Sequence, residues 1–367
     1  MKSELKTAII MGIVIVGIAS VIGVYFESLD STNSNSKSDK TNTGFPINKS
    51  QFKKVPELKG VSGYINTNAD ELKKRINGKV VLYDIWTYSC INCLRTLPYI
   101  EAWDQKYSDK GLVVIGVHSP EFEFEKDYKN VDTAVKKFGI KYPVILDNNM
   151  VVWDSFGNHY WPRKYLVDDE GFIRYDHVGE GNYDETERTI QKLLDERSHR
   201  MGLNITATEP LVGIKEDVPQ SATPEIYFGY NYASGRNQFG NPEGFNPEKE
   251  VSYSIPKDLR PNNFYLDGVW KNLSDSMMLS SNSGKIVLQY TAKQVNIVSS
   301  GNANLSIYLD GSLLEKSKFG NDVTLDGKVI TSDSRLYNII KDHESASHVL
   351  EIRVDSPGFE IFTFTFG

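Results

Sequence analysis

Lys79–Pro98 reads KVVLYDIWTYSCINCLRTLP, and the fold of the first half of the chain turns on it. Lys79–Trp86 is a near-continuous apolar run, the pattern of a strand covered on both faces of a sheet. It stops at Trp86, and a helix is expected over Cys90–Tyr107. A thiol at a helix N-terminus meets unpaired N–H groups and the positive end of the helix dipole, which favours thiolate. On that ground Cys90 is expected below the free-thiol pKa of about 8.5. Cys93, one turn deeper, can close a disulfide onto it. Nucleophile, resolving thiol and electrostatic activator thus fall within one turn. Half a zinc site or two inert thiols are the other readings. The six His residues (118, 159, 177, 199, 343 and 348) show no paired zinc-ligand spacing.

Working outward, Leu112–His118 (LVVIGVH) is a second buried strand. Tyr142–Leu146, Lys164–Val167 and Phe172–His177 are shorter ones. Helices are expected over Val131–Phe138 and Tyr183–Glu196. Strands alternating with helices define an α/β domain, placed at 51–199. Met201–Pro224, rich in Thr, Glu, Pro, Gln and Ser, is expected to be a linker, with bounds 200–224. Beyond it come short strand-like pieces: Lys285–Tyr290, Gln294–Val298, Leu305–Leu309, His348–Val354 and Glu360–Phe366. Asp310-Gly311 and Asp326-Gly327 are hairpin signals. An all-β sandwich, jelly-roll-like, is expected over 225–367.

Ahead of the α/β domain, Thr7–Phe26 is twenty residues without a charge, long enough as a helix to span about 30 Å of hydrocarbon. Lys2 and Lys6 precede it; Glu27 and Asp30 follow. The positive-inside bias places residues 1–6 in the cytoplasm, a single membrane anchor at 7–26 and both folded domains outside, at the cell membrane. A cleaved signal peptide is the rival, but the run exceeds the usual apolar length. Residues 27–50 are polar enough to be a flexible tether.

Composition narrows the function. The chain has 367 residues, 40% hydrophobic and 24% charged, as in ordinary globular proteins. A net charge of −7 gives no footprint for nucleic acid. Two Cys in all exclude a disulfide scaffold and a four-Cys zinc site.

The quoted stretch resembles the active-site strand and helix of thioredoxin-fold proteins, most of all the extracytoplasmic TlpA-like branch. Leu97-Pro98 resembles that family's helix proline. The likeness is closer still to the soluble C-terminal part of DipZ-type proteins, whose motifs stand here as Trp86–Cys93, Val114–His118, Leu146–Asn149 and Tyr160–Pro162. It continues through Pro224–Gly229 and Phe362–Gly367, which resemble a carbohydrate-binding-module-like domain, so roughly 55–367 is covered. The resemblance implies a thiol–disulfide oxidoreductase, acting as a protein-disulfide reductase, with no cofactor beyond a Cys90–Cys93 disulfide. Its partners would be extracytoplasmic protein thiols and disulfides and a CcdA-like membrane electron donor.

It also implies roles. Asp84 maps onto the buried acid that moves protons to and from the second Cys; burial should raise its pKa. Pro162 maps onto the cis-proline opposite the dithiol, which frees the backbone of Trp161 for a substrate strand. Trp86 is expected beneath the site and, like Trp161, in contact with substrate. One departure is Ser89, where thioredoxin has an aromatic residue. Thiol peroxidase chemistry is the alternative for Thr87-x-x-Cys90, although the proline of that signature would fall at Tyr83. A metal- or glycan-binding surface protein is the other. Tyr227, Tyr230, Tyr232 and Trp270 are the candidates for stacking on sugars. Asn48, Asn204, Asn272 and Asn304 begin glycosylation sequons. His118 and His159 are expected to be structural, and Glu121–Tyr128 (EFEFEKDY) to be an insertion packed on the core.

Overall fold

A computed structural model describes residues 48–367. The expected anchor at 7–26 and the tether up to residue 47 lie outside the described residues. Among the described residues no helix is long and apolar enough to cross a membrane.

The first region runs β1 (Gly63–Ile65), α1 (Ala69–Ile76), β2 (Val80–Trp86), α2 (Ile91–Tyr107), β3 (Leu112–His118), α3 (Tyr128–Phe138), β4 (Val144–Leu146), α4 (Val151–Ser155), β5 (Arg163–Val167), β6 (Ile173–Val178) and α5 (Tyr183–Arg200). Its strands form one sheet in the order β1-β4-β3-β2-β5-β6, with β2–β3 and β3–β4 parallel and the other pairs antiparallel. Every residue of β2 and β3 is buried, as their unbroken apolar runs require of central strands. Two apolar clusters cover the two faces of the sheet: Leu82, Trp86, Ile100 and Trp103 belong to one, Tyr83, Ile85 and Ile115 to the other.

α1 has no counterpart in the sequence reading, since Leu72 is its one buried residue. Local signals make it instead. Asn68 caps it by accepting from the Glu71 N–H at 3.0 Å, acids fill the first turn and Lys73, Lys74 and Arg75 the last.

The second region is sheet-rich: β7 (Ile226–Tyr227), a single turn α6 (Tyr230–Ala233), β8 (Glu250–Tyr253), β9 (Phe264–Asn272), β10 (Met277–Leu279), β11 (Gly284–Ser300), β12 (Ala303–Leu309), β13 (Ser312–Leu313), β14 (Lys328–Thr331), β15 (Arg335–Val354) and β16 (Glu360–Phe366). In place of two separately bonded sheets, the strands make one continuous network. β11 is a single strand where two pieces were expected. Its first half pairs with β9 and its second half with β16, and its pairing with β15 shifts register between Ala292 and Gln294. Asp310-Gly311 is the expected two-residue turn, both residues at positive φ.

The stretch between the regions is no free linker. Ala207 is fully buried, and side chains of α2 and α5 meet several of the stretch's backbone groups. The Val212 N–H donates to Glu187 at 2.9 Å and the Ala207 N–H to Asp195 at 3.0 Å; Tyr99 and Gln191 donate to the Ile214 and Glu209 carbonyls. Phe52–Gly367 forms one compact unit. A mixed aromatic cluster joins its regions: Phe122 and, partly buried, Phe124 from the segment after β3, with Tyr227, Tyr232 and Phe362.

Candidate active site

The short turn after β2 ends at Cys90, which is the N-cap of α2 rather than its first helical residue. Its Sγ accepts from the Cys93 N–H at 3.2 Å, so one of the orphan amide protons of the helix start points at this sulfur. Cys90 is half-buried and Cys93 fully buried, and both are free thiols. That asymmetry fits an outer attacking sulfur and an inner resolving one. Pro98 lies within α2 on its exposed face.

The expected low pKa of Cys90 is not what its surroundings give. Burial pushes the Cys90 thiol up, the hydrogen bonds with Cys93 pull it down, and the carboxylates of Glu121 and Glu225 push it up again. The sequence shows the helix start but neither the burial of this sulfur nor the two acids brought from elsewhere. Cys93 is driven well above the ordinary thiol range, by burial first and then by Cys90.

Beneath the dithiol lies Asp84, fully buried, with neither carboxylate oxygen hydrogen-bonded. Burial raises its pKa to about 6, against the pull of Lys164. Lys164 is the antiparallel partner of Asp84 on β5 and is itself fully buried, its Nζ donating to the Gly179 carbonyl at 3.4 Å. Burial lowers the pKa of Lys164, while Asp84, Cys93, Glu180 and Cys90 favour its charged form. On the other side, Gly116 of β3 is opposite Asp84. A Cβ there would sit 2.9 Å from Nε1 of the buried Trp86, so only glycine leaves room for that indole.

The Trp161–Pro162 bond is cis, as the family likeness implied. Trp161 is half-buried against Trp153, ring centroids 4.1 Å apart, and its indole N–H donates to the Ser119 carbonyl at 2.9 Å. His118 is fully buried beside Thr87 and stacked on Tyr88; burial holds its pKa down to about 3, so it stays neutral. His159 is exposed.

Sequence reasoning missed what the second region brings. Tyr88 donates to the Ser334 carbonyl at 3.0 Å, and Arg95 on α2 reaches both Glu180 and the Phe366 carbonyl, each at 3.2 Å. A cleft of about 670 Å³ opens between the regions, with Tyr88, Ile91, Leu94 and Arg95 on one wall and Asn296, Arg335 and Asn338 on the other. Of the aromatics considered for sugars, Tyr227 and Trp270 are buried and Tyr232 donates to the Glu121 carbonyl, so three of the four are committed to the interior and the joint. Tyr230 is half-buried and donates to Glu248. The sequon Asn272 is fully buried and hydrogen-bonded, unlike the exposed Asn204. Among the described residues no group of three or more His, Cys, Asp or Glu could hold a metal ion.

A parallel-centred sheet, a dithiol at a helix start and a cis-proline strand define a thioredoxin-like protein. Comparison with known families agrees: residues 53–194 match the Redoxin family, and residues 223–367 match the thioredoxin like C-terminal domain family. The chain is similar to Protein DipZ of Mycobacterium bovis, at 37% identity over 323 residues. That match takes in 85% of this chain and 43% of DipZ, so the chain spans less than half the length of that relative. It is also 28% identical to the thiol-disulfide oxidoreductase YkuV of Bacillus subtilis, over 39% of this chain and 95% of YkuV. The solution structure of a thioredoxin-like protein in the oxidized form aligns at 27% identity and a TM-score of 0.36, over 40% of this chain and 97% of its own.

Proposed function

We propose that this chain is a thiol–disulfide oxidoreductase that reduces protein disulfides through Cys90 and Cys93. The observation that carries this reading is the half-buried sulfur of Cys90 at the cap of α2, backed by the buried Cys93 and the Asp84–Lys164 pair. Cys90 thiolate attacks one sulfur of the substrate disulfide, forming a mixed disulfide and releasing the other sulfur as thiolate. Cys93, deprotonated toward Asp84, then attacks Sγ of Cys90. The Cys90–Cys93 disulfide forms, and the substrate leaves with two electrons and two protons as a dithiol. Trp161 and Pro162 line the approach and offer backbone to an extended substrate, with Trp86 supporting the floor.

The same reading places the enzyme outside the cytoplasm, held by Thr7–Phe26 with Lys2 and Lys6 inside, and re-reduced by a CcdA-like membrane donor. It takes the sheet-rich region as a sandwich folded through the bends of β11 and β15. Stoichiometric reduction of insulin disulfides by the pre-reduced chain tests the chemistry. Activity that survives in Cys90→Ala would sink it. Protease treatment of intact cells tests the topology: cleavage within residues 28–50 should release one soluble fragment, and protection until lysis would reverse the orientation.

A further inference from the structure

The segment between β3 and α3 touches the redox loop on one side and the sheet-rich region on the other. The buried Glu125 carboxylate accepts from the Ser89 hydroxyl at 2.6 Å, the Ser89 N–H at 3.3 Å, the Glu121 N–H at 2.6 Å and the Phe122 N–H at 3.0 Å. Ser89 is the residue before Cys90. Four residues back, the Glu121 carboxylate lies 2.7 Å from the Tyr227 hydroxyl, and that hydroxyl lies 2.9 Å from the Glu225 carboxylate. Glu121 thus joins two sets of bonds, its carboxylate meeting Tyr227 and its backbone N–H donating to the Glu125 carboxylate that holds Ser89.

The proton count at Tyr227 decides what this arrangement can do. A phenol has one proton to donate, and here it meets two carboxyl groups. The second contact is a hydrogen bond only if one carboxyl is itself protonated and donates to the phenol oxygen. Two acids this close hold one proton between them because both cannot ionise without strong repulsion. The trio therefore carries one negative charge instead of two, and the Arg236 guanidinium lies over the Tyr227 ring at 4.5 Å.

We propose that the sheet-rich region supplies part of the redox site: Tyr227 and Glu225 share a proton with Glu121 beside Cys90, and this sharing sets how readily Cys90 is present as thiolate. Tyr227, Glu121 and Glu225 are positioning residues here, acting through charge, while Glu125 and Ser89 fix the geometry. The titratable and charged groups bearing on Cys90 are Cys93 on its own helix, Lys164 on β5, Glu121 on the connecting segment and Glu225 ahead of β7. Glu121 faces Glu125, Glu225 and Arg236, and burial together with the two acids pushes its carboxyl up.

The proposal rests on Cys90 being the attacking thiol, but its readout needs no disulfide substrate. It is the alkylation of Cys90 by iodoacetamide across pH in the full chain, with the modified Cys identified by mass spectrometry. Tyr227→Phe removes the hydroxyl whose hydrogen bonds favour the ionised form of both carboxyls, leaves them more fully protonated, and should speed alkylation at neutral pH about threefold. The double variant Glu121→Gln/Glu225→Gln removes the charge and should speed it by at least the same factor. A shift of both variants in this direction supports the proposal. Two folded variants with the parent pH profile, or with shifts of opposite sign, would overturn it. Should the double variant fail to fold, Tyr227→Phe decides alone, because it deletes one hydroxyl: a parent-like or slower rate refutes the proposal. Parent insulin reduction failing while these shifts appear would fault the proposed function and leave this inference standing.

Discussion

Asp84 on β2 and Lys164 on β5 are register partners across an antiparallel strand pair, and neither exposes any surface to solvent. Their side chains influence each other through charge without a direct contact, and each charged form loses its hydration on burial, so the pairing is weak evidence of stability. Its position within the field of Cys93 gives it a task instead: a charge that can take up a proton without water.

Asp84 should therefore trade stability for function. An acid whose folded pKa, about 6 here, stands above its unfolded value stabilises the fold below the unfolded pKa. That stabilisation is lost as pH rises through the folded pKa, in this case between about pH 4 and pH 6. Asp84→Asn should be more stable than the parent at neutral pH by up to about 3 kcal/mol, less whatever Lys164 loses with its partner. The gap should close near pH 4. Urea denaturation of both proteins across that range measures it, and a gap independent of pH would reject the assignment.

Lys164→Met should act in the opposite sense on chemistry. Without the opposing ammonium, the Asp84 carboxyl titrates above its present value and is protonated more of the time at neutral pH. Resolution of the mixed disulfide should slow about tenfold near pH 7 and recover in alkaline buffer. Single-turnover kinetics with a trapped substrate report this step alone.

The two thiols should divide their roles by depth. Cys93→Ala is expected to accumulate a mixed disulfide through Cys90, while Cys90→Ala forms almost none, since the remaining sulfur has no exposed surface. Mass spectrometry of the linked peptide distinguishes them. Equal trapping at both positions would mean that the helix start opens far more than its packing implies.

Residues 51–199 alone, the span assigned from sequence to the α/β domain, should be less stable than 51–367. Cutting there uncovers Phe122 and Phe124 and leaves the Glu187 carboxylate without the Val212 N–H. Loss of one such aromatic contact costs about 3–5 kcal/mol by analogy with Phe→Ala truncation. Thermal melts of the two lengths decide; equal midpoints would show that the joint adds nothing.

Glu187→Gln should weaken the α2–α5 contact. This carboxylate receives the Trp103 indole at 3.2 Å, Lys106 at 2.9 Å, Tyr107 at 2.6 Å and the Val212 N–H at 2.9 Å. Burial opposes its ionisation, yet these donors outweigh it and hold the pKa below the ordinary carboxylate value. A depressed folded pKa contributes stability above the unfolded pKa and loses it as pH falls through the folded one. The variant should lose about 1–3 kcal/mol at neutral pH, and less in acid.

The parts legible in the sequence share one property: their signal is local. β2, β3 and the dithiol helix declare themselves by unbroken apolar runs and by two Cys a turn apart, and the cis-proline strand by family likeness. Lys164 was illegible because a lysine in Lys164–Val167 reads as a polar strand start; its burial follows only from its partner eighty residues earlier. Glu125 stood within an acidic, aromatic stretch whose purpose depends on Ser89 and Phe362. The length of β11 was hidden because its apolar alternation breaks where the strand changes neighbours near Ala292. The raised pKa of Cys90 is hidden for the same reason: a helix start is visible in sequence, whereas the burial of this sulfur, which dominates, and the Glu121 and Glu225 carboxylates come from distant segments.

The pinned stretch between α5 and β7 has the character of a peptide seated in its own receptor. Side chains of helices α2 and α5 grip its main chain, while its own Ala207, Val212 and Ile214 pack on the same core. Because the occupant is covalently tethered at both ends, its local concentration is fixed by geometry and is independent of dilution. A break in one grip, such as the Asp195–Ala207 contact, leaves the neighbouring grips to recapture it. The stretch should therefore resist proteases long after exposed loops of similar composition are cut, and its first nick should be a sign of global opening.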